Sequence, residues 1–250
     1  MSPKSKEHTM KLAWFDQQAF RFFENSTFLA GDEVVFHGLE QAKEKHLHWE
    51  ELKKQFPGGR YAAVGVLFVL RNELKKLLSD SELNPRKYQD LGSPLPYQWQ
   101  NQLVVLTRRT EHLPSHKRQI SFCGGHAEEG DLSPLGTVSR EVGEELGLPT
   151  EELSFGPILK PQRSVTGRWV FPVLCQWSPA SYVSLRPCPD EVEKVLFVDP
   201  AALARDSASN FELNVYGKKR TSYLFDTDAG QVWGLTAKIL HQVGIRNLKK

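Results

Sequence analysis

The chain has little of what would brace a fold covalently or hold it in a membrane. Its 250 residues include only three cysteines, Cys123, Cys175 and Cys188. The number is odd and the spacing is not that of a metal site, which excludes a disulfide framework and fits reduced thiols in a cytoplasm. No apolar run reaches the roughly 20 residues that a bilayer requires. The polar start Met1-Ser2-Pro3-Lys4 lacks the apolar core of a secretory signal. An excess of one charge is missing too. With 32 basic and 30 acidic residues the formal charge is +2, and the two signs are interspersed, which argues against a nucleic-acid coat. Neither nucleic acid nor membrane is therefore expected as a partner. No internal repeat or low-complexity tract is present. A hydrophobic content of 40% over this length can bury one large or two small cores. The expected organisation is one catalytic domain over residues 60–250, preceded by a helical extension over residues 1–59.

The densest information lies between Gly124 and Pro149. Ser133-Pro134 suits an N-cap followed by a first helical residue, and Gly147 suits a left-handed stop, so a helix is predicted over residues 134–146. At about 100° per residue, Leu135, Val138, Val142 and Leu146 form one core stripe. Glu141, Glu144 and Glu145 fall on the adjacent sector. Like charges at this spacing repel, and a hard divalent cation that wants oxygen ligands would relieve the repulsion. Taken alone, such a patch equally describes a solvated acidic face.

Around this helix, Tyr61–Leu70 and Gln102–Thr107 read as buried strands. Residues 71–100, rich in Ser-Pro, Asn-Pro and Leu-Pro pairs, read as an inserted loop that forms either a homodimer contact or a substrate rim. Further strands are predicted at Leu153–Leu159, Trp169–Trp177, Lys194–Val198 and Thr221–Phe225, with a last helix from Gln231 to Val243. In the extension, Phe15–Asn25 and Gly38–Phe56 look helical. Strands on both sides of one helix, closed by another, imply a mixed α/β sheet covered on both faces.

Arg140-Glu141-Val142-Gly143-Glu144-Glu145-Leu146-Gly147-Leu148, with Gly124-Gly125 upstream, resembles the signature of the Nudix hydrolases. In the usual pattern a Gly is followed after five residues by a Glu, and seven more lead to the Arg. Here Gly125 is followed after five residues by Asp131, and eight separate Asp131 from Arg140. This inserted form resembles the coenzyme A pyrophosphatase branch. So does the segment Leu106-Thr107-Arg108-Arg109-Thr110-Glu111-His112-Leu113 through His116, Gln119, Ser121, Phe122 and Gly124-Gly125, except that Pro114, Arg118 and Cys123 stand where an Arg, a Gly and a Pro are usual. Ser164-Val165-Thr166-Gly167, Pro189-Asp190-Glu191-Val192 and Trp233 to Leu240 follow in the same order. The resemblance runs from Arg60 to about Val243, and it implies an α/β/α Nudix sandwich.

The resemblance also implies a reaction. Diphosphate oxygens already carry negative charge, so a catalyst must neutralise them, place a water in line and stabilise the leaving phosphate. Mg2+ or Mn2+ held by Glu141, Glu144 and Glu145 would meet these needs. Arg140 would orient a glutamate through a charge-assisted pair, and Glu141, Glu144 or the loop acid Glu191 would take the proton from water. For Glu191 a plain solvated turn is the alternative. Gly124 and Gly125 would let backbone amides approach phosphate. Arg108, Arg109, His116, Lys117 and Arg118 would bind the 3'-phosphate of coenzyme A, the bland alternative being an exposed strand end. Cys123 reads as a packing residue rather than a nucleophile, and Trp233 as helix packing rather than base stacking. The implied substrate is a small nucleotide. ADP-ribose, a dinucleotide or a nucleotide sugar would use the same metal helix, and a catalytically silent binding module is the reading from another class.

Overall fold

The computed structural model describes residues 8–11, 33–36, 48–74, 102–114, 116–179, 185–200, 207–215, 218–227 and 230–243. Its organising element is β3 (Tyr61–Leu70), buried along most of its length because both faces of the sheet are covered. On one edge β3 pairs in parallel with β9 (Trp169–Trp177), from Tyr61 opposite Trp169 to Val69 opposite Trp177. Its other edge is shared. Phe68–Leu70 pair with the start of β4 (Gln102–Arg109), and Ala62–Gly65 pair with β6 (Cys123–His126). Short β5 (Ile120–Ser121) pairs with the end of β4. The sheet is extended by β10 (Val192–Val198) beside β4, and by β7 (Leu153–Ile158) and β8 (Gln162–Arg163) beside β9.

The expected signature helix is present as Pro134–Leu146. It is capped by Ser133, whose side chain accepts from Gly136 N at 3.3 Å, and it ends at Gly147 with φ +69°. Its stripe of Leu135, Val138, Val142 and Leu146 lies in one core with Ala63, Leu67, Phe155 and Phe171. Approach to the sheet is close: a Cβ on Gly65 would stand 2.9 Å from Val138 Cγ1. Numbered in chain order, the helices are α1 (Trp49–Gln55), α2 (Arg71–Leu74), α3 (Pro134–Leu146) and α4 (Gly234–Gln242). On the opposite face Ala237, Ile239 and Leu240 of α4 pack on Val66, Phe68, Val104 and Leu174. The result is the expected α/β/α sandwich around a mixed sheet.

Two expectations need correction. The last helix begins at Gly234, not Gln231. Gly230–Trp233 form strand β13, paired with β12 (Lys218–Thr227), which itself pairs with β11 (Ser207–Val215). A helix-like sequence is thus claimed by a neighbouring strand, and Gly234 at φ +66° makes the break. The N-terminal extension is not purely helical, since β1 (His8–Lys11) and β2 (Glu33–Phe36) form an antiparallel pair. Within it Trp49 and Leu52 of α1 lie in the α3 core, and the Trp49 ring meets Phe171 edge-on at 5.2 Å. The helix expected at Phe15–Asn25 lies outside the described residues. The insertion starts with α2, and its remainder, 75–100, also lies outside them. No helix among the described residues is long and apolar enough to cross a membrane.

Candidate active site

Pairing of β6 with the start of β3 brings Gly124-Gly125 directly against α3. Glu145 points inward and is 3% exposed, and its Oε1 accepts from Gly124 N at 3.2 Å. Burial pushes its pKa up to about 7, with the Glu141 charge adding to the rise; the Gly124 amide, the Cys123 thiol and the charge of Arg109 act against it. Glu141 is half-buried beside it and also raised, first by burial, then by the charges of Glu144 and Glu191, while Arg140 opposes. Gly125 gives the Glu141 carboxylate its place, because a Cβ would stand 2.2 Å from Glu141 Oε1 and push that side chain aside.

Arg140 is the hub of the site. Its guanidinium donates to Asp131 Oδ1 at 3.2 Å and Oδ2 at 3.1 Å, to Glu141 Oε1 at 3.0 Å, to Glu144 Oε2 at 2.7 Å and to the His126 carbonyl at 2.9 Å. Asp131 is fixed in turn by Glu128 N at 3.0 Å. Its carboxyl is held below the usual range: burial is the largest influence and works against this, but the bonds from Arg140, the Glu128 amide and Thr137, with the Arg140 charge, together outweigh it. Asp131, which the sequence marked only by its spacing from Gly125, therefore positions Arg140. Among the described residues, no three Asp, Glu, His or Cys side chains form a group that could hold a metal ion. The α3 glutamates are instead divided between Gly124 and Arg140.

Glu191 sits in a turn whose backbone is tied to Thr110 N at 3.1 Å, and its charge reaches Glu141. The same segment closes the end of α3: Cys188 N donates to Glu145 O at 2.9 Å and Arg186 N to Leu146 O at 3.0 Å. Of the basic residues predicted between Arg108 and Arg118, Arg109 acts on the buried Glu145, and its Nε is buried without a partner. Arg108 pairs with Glu193 at 3.0 Å, Arg118 pairs with Glu111, and His116 Nδ1 contacts Gln119 Oε1 at 2.7 Å. Lys117 is exposed in the same loop. His116 and Arg118 both have φ +56°, so a tight turn is built here without glycine. Burial, together with the Glu145 carboxylate, drives the Cys123 thiol far above its ordinary value, which suits packing and not nucleophilic attack.

A cleft of about 720 Å³ opens beside these groups, lined by Trp49, Arg60, Tyr61, His126, Glu128 and Asp131 among others. Helix α1 forms one wall. Trp49 N donates to Leu132 O at 2.9 Å and Trp49 Nε1 to Thr137 Oγ1 at 3.2 Å, fastening the loop before α3. Neither this role for Trp49 nor the place of Arg60 at the cleft was legible in the sequence, because neither residue stands in a motif.

Residues 95–216 match the model of the NUDIX domain. The chain is 33% identical over 141 residues to an uncharacterized Nudix hydrolase, NudL, of Photorhabdus laumondii subsp. laumondii, covering 56% of this chain and 74% of that one. It is 34% identical over 145 residues to the protein of the same name from Pectobacterium atrosepticum, covering 57% and 74%. A MutT/nudix family protein from Enterococcus faecalis is a more distant structural likeness, 14% identical with a TM-score of 0.40 over 83% of this chain and 73% of that one. The chain belongs to the Nudix hydrolase family. Proteins of this family hydrolyse nucleoside diphosphate derivatives, generally with a divalent cation, and β3 and α4 complete the sandwich here from outside the matched residues.

Proposed function

We propose that the protein hydrolyses the diphosphate bond of coenzyme A or its derivatives, giving 3',5'-ADP and 4'-phosphopantetheine. The observation that carries this reading is continuity. The segment that resembles the coenzyme A signature runs from β4 through β6 straight into the carboxylate site, with Arg109 acting on Glu145 and Gly124 bonded to it.

The donors are carboxylate oxygens of the kind a hard cation takes, although in this structure they are divided between Gly124 and Arg140. Glu141 and Glu145 are carboxylates raised by burial and by neighbouring carboxylates, Glu144 and Glu191 acting on Glu141 and Glu141 on Glu145, a strain that a bound cation would relieve. Glu141, Glu144 and Glu145 would hold Mg2+ or Mn2+, and the cation would supply charge neutralisation for the diphosphate and acidity for the attacking water. Arg140 orients Glu141 and Glu144 through its own anchorage on Asp131. Glu191, facing Glu141, accepts the proton as the water oxygen bonds to phosphorus and the bridging P–O bond breaks. Arg109 contributes positive charge toward the developing phosphate oxygens. The free, buried thiols of Cys123 and Cys175 suit a reducing cytoplasm.

One observation favours a second reading, hydrolysis of ADP-ribose, a dinucleotide or a nucleotide sugar. Arg108 and Arg118 are engaged by Glu193 and Glu111, which leaves less positive charge in that loop for a 3'-phosphate. A turnover screen with Mg2+ or Mn2+ over coenzyme A, dephospho-coenzyme A, ADP-ribose, NADH and diadenosine polyphosphates decides between them. The expected result is the highest kcat/KM on coenzyme A, about tenfold to a hundredfold above dephospho-coenzyme A, as one charge-assisted contact allows. Preference for ADP-ribose over both would establish the second reading.

A further inference from the structure

Positive charge gathers at one end of the cleft, where Arg60 and His126 line it and Arg168 lies beside them. The parallel register of Tyr61 with Trp169, closed by Trp169 N donating to Arg60 O at 2.9 Å, sets Arg60 and Arg168 side by side at the starts of β3 and β9. Antiparallel pairing of Ala62 with His126 brings the imidazole to the same corner. Among the described residues neither arginine has an acidic partner, and the half-buried Arg168 has a buried Nε with no partner at all. The mutual effect is repulsive: Arg168 is lowered by burial and by the charge of Arg60, and His126 is lowered by burial and by both arginines. Of the acids lining the cleft, Asp131 and Glu128 pair with Arg140 and Glu50 with Lys53, Glu128 partly offsets the effect on His126, and among the described residues none of these nor Glu129 forms an ion pair with Arg60 or Arg168.

We infer that Arg60, Arg168 and His126 form a binding site for a phosphoryl group, one carried by the nucleotide substrate. Two guanidiniums held together against their repulsion are preorganised for a dianion, which they bind through charge-assisted hydrogen bonds. The site adjoins the carboxylates by a single residue, since the His126 carbonyl accepts from Arg140. A substrate seated in the cleft would therefore place one phosphoryl group here and present its scissile bond to α3. The phosphoryl group is either a phosphate monoester on the nucleotide or one half of the diphosphate. The assignment to substrate rests on the hydrolase reading above; the anion site itself does not.

The test begins without catalysis. Inorganic phosphate is titrated by calorimetry and by thermal shift into the wild-type protein, into the Arg60→Gln and Arg168→Gln variants, and into Lys194→Gln as an equal change of net charge at an exposed position. Expected is binding that weakens at least tenfold in both arginine variants and is kept in Lys194→Gln. Because the arginines repel each other, the phosphate-free Tm of each arginine variant should equal or exceed that of the wild type. Equal phosphate affinity in all proteins, no binding to the wild type, or a lowered phosphate-free Tm in both arginine variants would overturn the site. Kinetics then identify the source. A fall in kcat/KM of Arg60→Gln on coenzyme A alone assigns the monoester, and an equal fall on dephospho-coenzyme A assigns the diphosphate. Lost phosphate binding with neither rate changed would overturn the assignment to substrate. A wild type that turns over neither compound, yet loses phosphate binding on Arg60→Gln, would refute the coenzyme A reading and leave the anion site standing.

Discussion

Two adjacent glycines should fail for different reasons when each is replaced by alanine. At Gly124 the backbone has φ +145°, and a Cβ would lie 2.3 Å from Ala63 O and 2.6 Å from Val64 Cα, backbone atoms of the central strand. Neither can yield without parting β6 from β3. Strain of this kind costs about 1–3 kcal/mol, and the steric overlap adds to it, so Gly124→Ala should lose about 2–4 kcal/mol. For a chain of this size that lowers Tm by roughly 5–15 °C. At Gly125 the obstacle is Glu141 Oε1 at 2.2 Å, the free end of a flexible side chain. Glu141 can swing away at the expense of its partly exposed 3.0 Å ion pair with Arg140, so stability should change by no more than about 1 kcal/mol. Activity should not be spared. A displacement of about 1 Å in a catalytic constellation can cost about a hundredfold in rate, and Gly125→Ala should lose at least that much. Urea unfolding and metal-dependent turnover, measured on both variants, separate the two effects. Full activity in Gly125→Ala, or equal destabilisation of the two variants, would refute the reasoning.

Three further outcomes follow from the same geometry. Glu145 binds its proton more tightly in the fold, at about 7, than in the unfolded chain, so its penalty is absent below about pH 4.5 and complete above about pH 7; in chelator, the wild type should lose about 3 kcal/mol between pH 5 and pH 8 relative to Glu145→Gln, and parallel urea-unfolding curves would contradict this. Arg140→Lys cannot replace the fork that reaches Asp131, Glu141 and Glu144 together; a stability loss of about 2–4 kcal/mol by urea unfolding is expected, along with a fall in kcat, and wild-type behaviour in both would remove Arg140 from its central place. Trp49→Phe keeps the ring in the core and deletes the bond to Thr137, for about 1 kcal/mol, whereas Trp49→Ala should cost about 3–5 kcal/mol in thermal or urea unfolding.

The elements legible in the sequence are those whose signals are local. Helix α3 announced itself through Ser133, Pro134 and Gly147, and its buried stripe through the 3.6-residue period of Leu135, Val138, Val142 and Leu146. Strands β3 and β9 were visible as apolar runs because both faces of a central strand are buried. By contrast, β6 is Cys-Gly-Gly-His, with no intrinsic preference for a strand; only pairing with Ala62–Gly65 makes it one. Likewise β13 lies within an apparent helix because β12 lies alongside it to accept the pairing.

The same division runs through the site. Spacing along one helix suffices to bring Glu141, Glu144 and Glu145 near one another, since a helix fixes neighbours three and four residues apart by its own geometry. Their environments are not local properties. Burial under β6 makes Glu145 a carboxylate with a pKa of about 7, while Glu144 stays on the surface with Arg140. The basic run from Arg108 to Arg118 reads as one cluster in the sequence, yet Glu193, far along the chain, and nearby Glu111 engage two of its members. Arg60 and Arg168, 108 positions apart, meet only because β3 and β9 are parallel neighbours. The sequence determined which chemical groups this protein possesses and the local geometry of its glutamate-bearing helix; the tertiary structure decided which charges are neutralised and which are left facing the cleft, because pairing and burial depend on residues distant in the chain.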